Sequence, residues 1–120
     1  MIKTDCIIEL MSIQANVKLA HWQADSCTNE HKALGDLYDS LDGLVDNFAE
    51  LVLGKNGDRK IKVSNITLVD EVDHCDLVCG AIKALGHIRS DCKQGDDDDL
   101  LNILADISAA LNKAKYLLQL

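Results

Sequence analysis

Seven side chains, His31, Leu34, Tyr38, Leu41, Val45, Phe48 and Val52, recur at alternating three- and four-residue steps. In a helix of about 3.6 residues per turn that heptad-like spacing gathers them into one stripe, and such a stripe has to be covered by partner helices. The chain has no proline and only 3% aromatic residues, and it is rich in Leu, Ala, Asp, Lys and Ile, a composition that favours helices over sheets. An all-α fold is expected.

Three further stripes set its size. Ile7, Leu10, Ile13, Val17 and Ala20 predict a first helix over residues 3–24, and Asp25, Ser26, Thr28 and Asn29 then suit a turn and an N-cap. The second helix is expected over residues 29–53, with Gly54 placed to end it. Thr67 with Asp70 three residues on resembles a capping box, so a third helix is expected there, with the stripe Leu68, Val72, Cys75, Cys79, Ile82 and Leu85, ending before Gly95. Asp96, Asp97, Asp98 and Asp99 sit where the dipole of a fourth helix favours negative charge, ahead of Leu100, Leu104, Ile107, Leu111, Ala114 and Leu118. Their spacing does not fit an EF-hand calcium loop. The economical architecture is a four-helix bundle, a single domain over residues 1–120. The connector, residues 55–66, reaches ~40 Å when extended, against ~39 Å for a 26-residue helix. It is just long enough for a crossover between the second and third helices, and an up-down-up-down order stays open.

The net charge of −8 argues against nucleic acid as a partner, because phosphate binding depends on clustered Lys and Arg. The basic group Lys55, Arg59, Lys60 and Lys62 is interrupted by Asp58, has no interleaved aromatics, and reads as a solvated loop. Five cysteines are an odd number, no charged-then-apolar leader opens the chain, and no apolar run approaches the ~20 residues of a membrane span. A cytoplasmic protein with reduced thiols and no membrane partner is expected. Cys75 and Cys79 read as small buried hydrophobes rather than metal thiolates.

Candidate chemistry concentrates in residues 21–50. His21 falls in the last turn of the first helix and His31 in the first turn of the second, so a short hairpin brings both to one end of the pair. Asp46 and Glu50, four apart, share one helical face, and imidazole with carboxylate suits iron or zinc better than magnesium or calcium. Distance divides the set. Asp46 lies ~22 Å of helix beyond His31, and Glu50 about 28 Å, so one chain cannot close both halves on one ion. A second copy packed antiparallel about a two-fold axis would set its acids opposite the first chain's histidines, which predicts a homodimer or higher homo-oligomer with two equivalent interfacial sites.

The order His21-Trp22, a polar turn, His31, then Asp46-x-x-x-Glu50 resembles the Dps-like mini-ferritins of the ferritin-like superfamily. In wording the stretch is closest to short phage and marine ferritin-like proteins of unknown function. The resemblance implies a ferritin-like bundle and a ferroxidase centre shared between subunits. His21 and His31 would be the histidine ligands, and Asp46 and Glu50 of the other chain the carboxylates, with Glu50 bridging the irons. Trp22 would stand beside the centre as an electron donor. Iron is the implied ion, with zinc or another transition metal as the alternative. Two departures stand out: the turn between the histidines is short, and Gly35 occupies the place of an aspartate ligand, with Asp36 rotated by about 100°.

Competing readings are a metal-free helical interaction or structural protein on the same scaffold, and a magnesium site on Asp36, Asp39, Asp42 and Asp46. The latter lacks the paired acidic motifs of all-α nucleotide pyrophosphatases. Glu71 and His74 form a Glu-x-x-His without a matching motif elsewhere, and read as surface.

Overall fold

Helix-forming stripes separated by turn residues become four helices in the computed structural model, which describes residues 4–70 and 73–119. They are α1 (Asp5–Gln23), α2 (Asn29–Asn56), α3 (His74–Ser90) and α4 (Asp98–Leu118), and the described residues contain no strand. The stripes of α1, α2 and α4 meet in one core, where Leu10, Val17, Leu34, Leu41, Phe48, Val52, Leu104 and Leu111 are at most 1% exposed. His31 and Tyr38 sit at the margin of the α2 stripe and are half-buried.

Each helix end shows a local cause. Thr28 caps α2, its hydroxyl accepting from His31 N at 3.2 Å. The helix continues past Gly54, the expected stop, to Asn56, because the residue that turns left-handed is Gly57 (φ 75). Its N–H bonds the carbonyls of Leu53 and Gly54. Asp96, Asp97, Asp98 and Asp99 occupy the entry to α4. Asp97 accepts from Lys93 N at 2.8 Å, Asp98 from Gly95 N at 2.8 Å, and Asp99 both accepts from Leu100 N and pairs with Lys55 at 3.1 Å. The Lys55 ammonium holds the Asp99 carboxyl below the usual carboxylate range. Lys55 therefore belongs to an α2–α4 contact rather than to a basic loop. Asn29, at the other end of α2, donates to Leu117 O in the last turn of α4, so α2 and α4 are antiparallel.

The third helix starts later than its sequence predicts. Asp73, not Thr67, is its N-cap, accepting from Cys75 N at 2.9 Å and Asp76 N at 3.2 Å. Both residues of the expected capping box are engaged by α1 instead: Asn16 Nδ2 donates to Thr67 O at 3.1 Å and Gln23 Nε2 to Asp70 Oδ1 at 3.1 Å. The buried face of α3 is accordingly Val78, Ala81, Leu85 and Ile88. Leu68 is 55% exposed, Cys75, Cys79 and Ile82 are half-buried, and Val72 lies outside the described residues.

Residues 57–73 form neither helix nor strand among those described. Lys62 N donates to Thr4 Oγ1, Asn16 holds Thr67 and Val69, Gln23 holds Asp70, and His74 Nδ1 lies 2.8 Å from Glu30 Oε2. The segment thus follows α1 from its first turn to its last and brings α3 in beside the start of α2. Asn16, 7% exposed, is its central fixing point: its amide donates to Ser12 O and Thr67 O and accepts from Val69 N at 2.7 Å. No helix among the described residues is long and apolar enough to cross a membrane.

Candidate metal site

The turn at residues 24–28 is short because Ala24 N and Thr28 N close back on Ala20 O and Asp25 O. That brings His21 and His31 face to face, their rings stacked with centroids 3.9 Å apart and planes 26° from parallel. Each ring is tied to the other's backbone. His21 Nδ1 lies 2.7 Å from His31 O, and His31 Nδ1 lies 2.8 Å from His21 O. His21 O is one of the last carbonyls of α1, which a helix cannot satisfy from within. The His31 imidazole supplies the missing donor.

These two bonds set the tautomer. A carbonyl only accepts, so Nδ1 of each ring carries the proton and Nε2 of each carries the lone pair. Neither Nε2 has a hydrogen-bond partner among the described residues, and both residues are half-buried. A backbone carbonyl on one ring nitrogen and a free lone pair on the other is the arrangement that orients metal-binding histidines.

Gly35 explains how the rings come so close. A Cβ at this position would lie 2.7 Å from His21 Cε1 and 3.0 Å from its Nδ1. The place where the sequence resemblance puts an aspartate ligand is filled by the His21 ring. Asp36 is turned to Lys32, 3.1 Å away. Trp22 is 68% exposed, and the Lys18 ammonium lies 5.5 Å from its ring centre and 4.3 Å from that of Tyr38.

Asp46 and Glu50 are exposed on α2, hydrogen-bonded to each other, and apart from the histidines. The Asp46 side chain, by that bond and by its charge, raises the Glu50 carboxyl above the usual range. An acid whose folded-state pKa is raised contributes its stability at low pH and loses it as pH climbs through the raised value. Substituting Asp46→Asn is therefore expected to move the Glu50 midpoint down toward an ordinary glutamate. A carboxyl-carbon NMR titration reads it directly, and an unmoved midpoint would refute the pairing.

Among the described residues no three His, Cys, Asp or Glu side chains are grouped to hold an ion. The Cys6 and Cys92 thiols line a cavity of about 580 Å³ with Phe48 and Asp97, but burial pushes Cys6 up to about 11 and also raises Cys92, so neither is poised as a thiolate. Cys75 is raised by desolvation and by nearby Asp73. Glu71 lies outside the described residues, and His74 pairs with Glu30, a contact across 44 positions that no local spacing announces. Of the aspartate stripe, Asp36 and Asp42 are engaged by Lys32 and Gln14.

Fold and site define an all-helical, four-helix chain that carries a stacked pair of histidines at one end of its α1–α2 hairpin. The chain belongs to a family of unknown function (DUF5856), whose model matches residues 21–118 and so takes in the histidine pair, Gly35 and the acid pair. No curated protein and no solved structure matches it.

Proposed function

We propose that this protein binds a transition-metal ion between two copies of the chain, each contributing His21 and His31 to one site and Asp46 and Glu50 to the other. The observation that carries this reading is the stacked histidine pair, each ring oriented by a reciprocal Nδ1 bond of 2.7 or 2.8 Å that leaves its Nε2 without a hydrogen-bond partner among the described residues. Two imidazoles leave coordination positions open, and carboxylates suit them. Antiparallel packing would set the histidines of one copy against the acids of the other, and would give Met11 and Trp22, 47% and 68% exposed, a surface to pack on.

The path of residues 57–70 along α1 supports a ferritin-like bundle with a crossover between α2 and α3. Iron would then be the substrate, taken up and oxidised by O2 or peroxide, with Trp22 near the half-site. His21 and His31 would hold and orient the ion, and Asp46 and Glu50 of the other chain would complete its ligands. A second reading is a helical interaction protein without metal. It is favoured by the reciprocal bonds of His21 and His31 to each other's backbone, which tie α1 to α2 with no cation.

Metal analysis after addition of Fe(II) or Zn(II), each alone, separates them. Wild type is expected to retain about one ion per chain in a dimer, and a His31→Ala, Glu50→Ala variant almost none. Equal content in the two proteins, or a dimer indifferent to chelation, overturns the metal reading.

A further inference from the structure

We propose that residues 62–70 pair with the same residues of a second copy of the chain, as a two-stranded antiparallel ribbon across a two-fold axis at Ile66. The homodimer is the one of the preceding reading, and the pairing does not depend on its metal.

The segment is stretched. Lys62 N is held at Thr4 and Asp70 at Gln23, points ~28 Å apart along α1 at about 1.5 Å per residue. The eight steps from Lys62 to Asp70 reach only about 26–29 Å, so the chain between them is close to full extension. In an extended chain, alternate residues turn their N–H and C=O groups to opposite edges. Asn16 bonds Thr67 O and Val69 N, as a neighbouring strand would, and closes one edge there. Ile66 and Leu68 then present their backbone groups on the other edge, and neither residue makes a hydrogen bond among the described residues. An open edge of this kind is a template for another strand.

The side chains select the partner. The stretch KVSNITLVD carries charge only at its ends, Lys62 and Asp70, of opposite sign and equally far from Ile66. Antiparallel pairing centred on Ile66 sets Lys62 against the partner's Asp70, Val63 against the partner's Val69, and Asn65 against the partner's Thr67. Opposite charges meet, and so do apolar and polar pairs, each of which favours the ribbon. A slip of one residue breaks every one of these matches. Lys62 makes no ion pair among the described residues, and Asp70 uses only one carboxylate oxygen there, on Gln23. Val63 and Val69 are 88% and 45% exposed, and Ile66 and Leu68 between them are exposed as well.

A ribbon of two strands is marginal alone, and a stable interface buries about 1,200–2,000 Å². The segment runs alongside α1, so antiparallel segments also bring the two α1 helices together antiparallel. Met11 and Trp22, about three turns apart and so on one side of α1, add their exposed surface to the contact.

The test uses the full-length chain. Light scattering should give the mass of a dimer, and in it a zero-length carbodiimide should join Lys62 to Asp70. Within one chain these side chains stand at opposite ends of a stretched segment, so only the partner's Asp70 comes within reach. Mixed isotope-labelled and unlabelled protein should therefore yield hybrid links. Lys62→Glu, which sets like charges across the axis, should raise the dimer dissociation constant about tenfold. Combining it with Asp70→Lys should restore the constant. Both side chains are exposed, so helix content should not change in either variant.

A dimer that gives no Lys62–Asp70 link and is indifferent to Lys62→Glu overturns the ribbon and leaves the homodimer standing. A chain that stays monomeric at high concentration overturns both, and leaves the open edge to a different partner.

Discussion

Replacing Phe48 with alanine should destabilise this protein by about 3–5 kcal/mol, the cost of removing a buried aromatic ring from a packed core. Phe48 is the largest side chain in the core and is 0% exposed. It lies on the α2 stripe and also closes the inner wall of the cavity beside Cys6 and Cys92. The ring has little chance of being replaced by local collapse, because the cavity next to it would simply enlarge. With total stabilities of about 5–15 kcal/mol for domains of this kind, much of the folding free energy is at stake. Urea denaturation should show a lower midpoint with an unchanged slope. Tyr116→Ala, at a side chain 62% exposed, should stay within about 0.5 kcal/mol of wild type. A Phe48→Ala protein as stable as that control would show that the core is not organised around α2.

Asn16→Ala should cost roughly 1–3 kcal/mol, since it removes two hydrogen bonds, each worth about 0.5–1.5 kcal/mol, to the backbone of the exposed residues Thr67 and Val69. The Asn16 amide satisfies Thr67 O and Val69 N, 51 and 53 positions away, and nothing else described takes either atom. The effect should be local as well as global. Amide exchange at Val69 is expected to accelerate far more than exchange at Leu104 in the core, because the segment along α1 loses its central fixing point. If Val69 exchanges no faster in the variant, the segment is held by something other than this side chain.

Where the sequence could be read, local periodicity was the reason. The stripes of α1, α2 and α4 depend on contacts three and four residues apart, and the structure buries Leu100, Leu104, Ile107, Leu111, Ala114 and Leu118 together. The hairpin that joins His21 to His31 is likewise a local event, ten residues long, set by Thr28 and the turn before it. Thr67 failed as a cap because its carbonyl is more valuable to Asn16 than its hydroxyl is to a helix start, and that competition cannot be seen from within the segment. Gly54 was a reasonable stop that the backbone did not need, since Gly57 alone takes the positive φ.

The candidate site divides along the same line. Its residue types and the incompatibility of its two halves within one chain follow from the sequence through the rise of a helix, ~1.5 Å per residue. What only the tertiary structure decided is the setting of each half: which histidine nitrogens are bonded, that the His21 ring fills the space beside Gly35, and that Asp46 raises the Glu50 carboxyl. Spacing along a helix tells which side chains share a face, but tautomer, stacking and proton affinity depend on what stands opposite. In this protein that is another helix, folded back across a five-residue turn (residues 24–28).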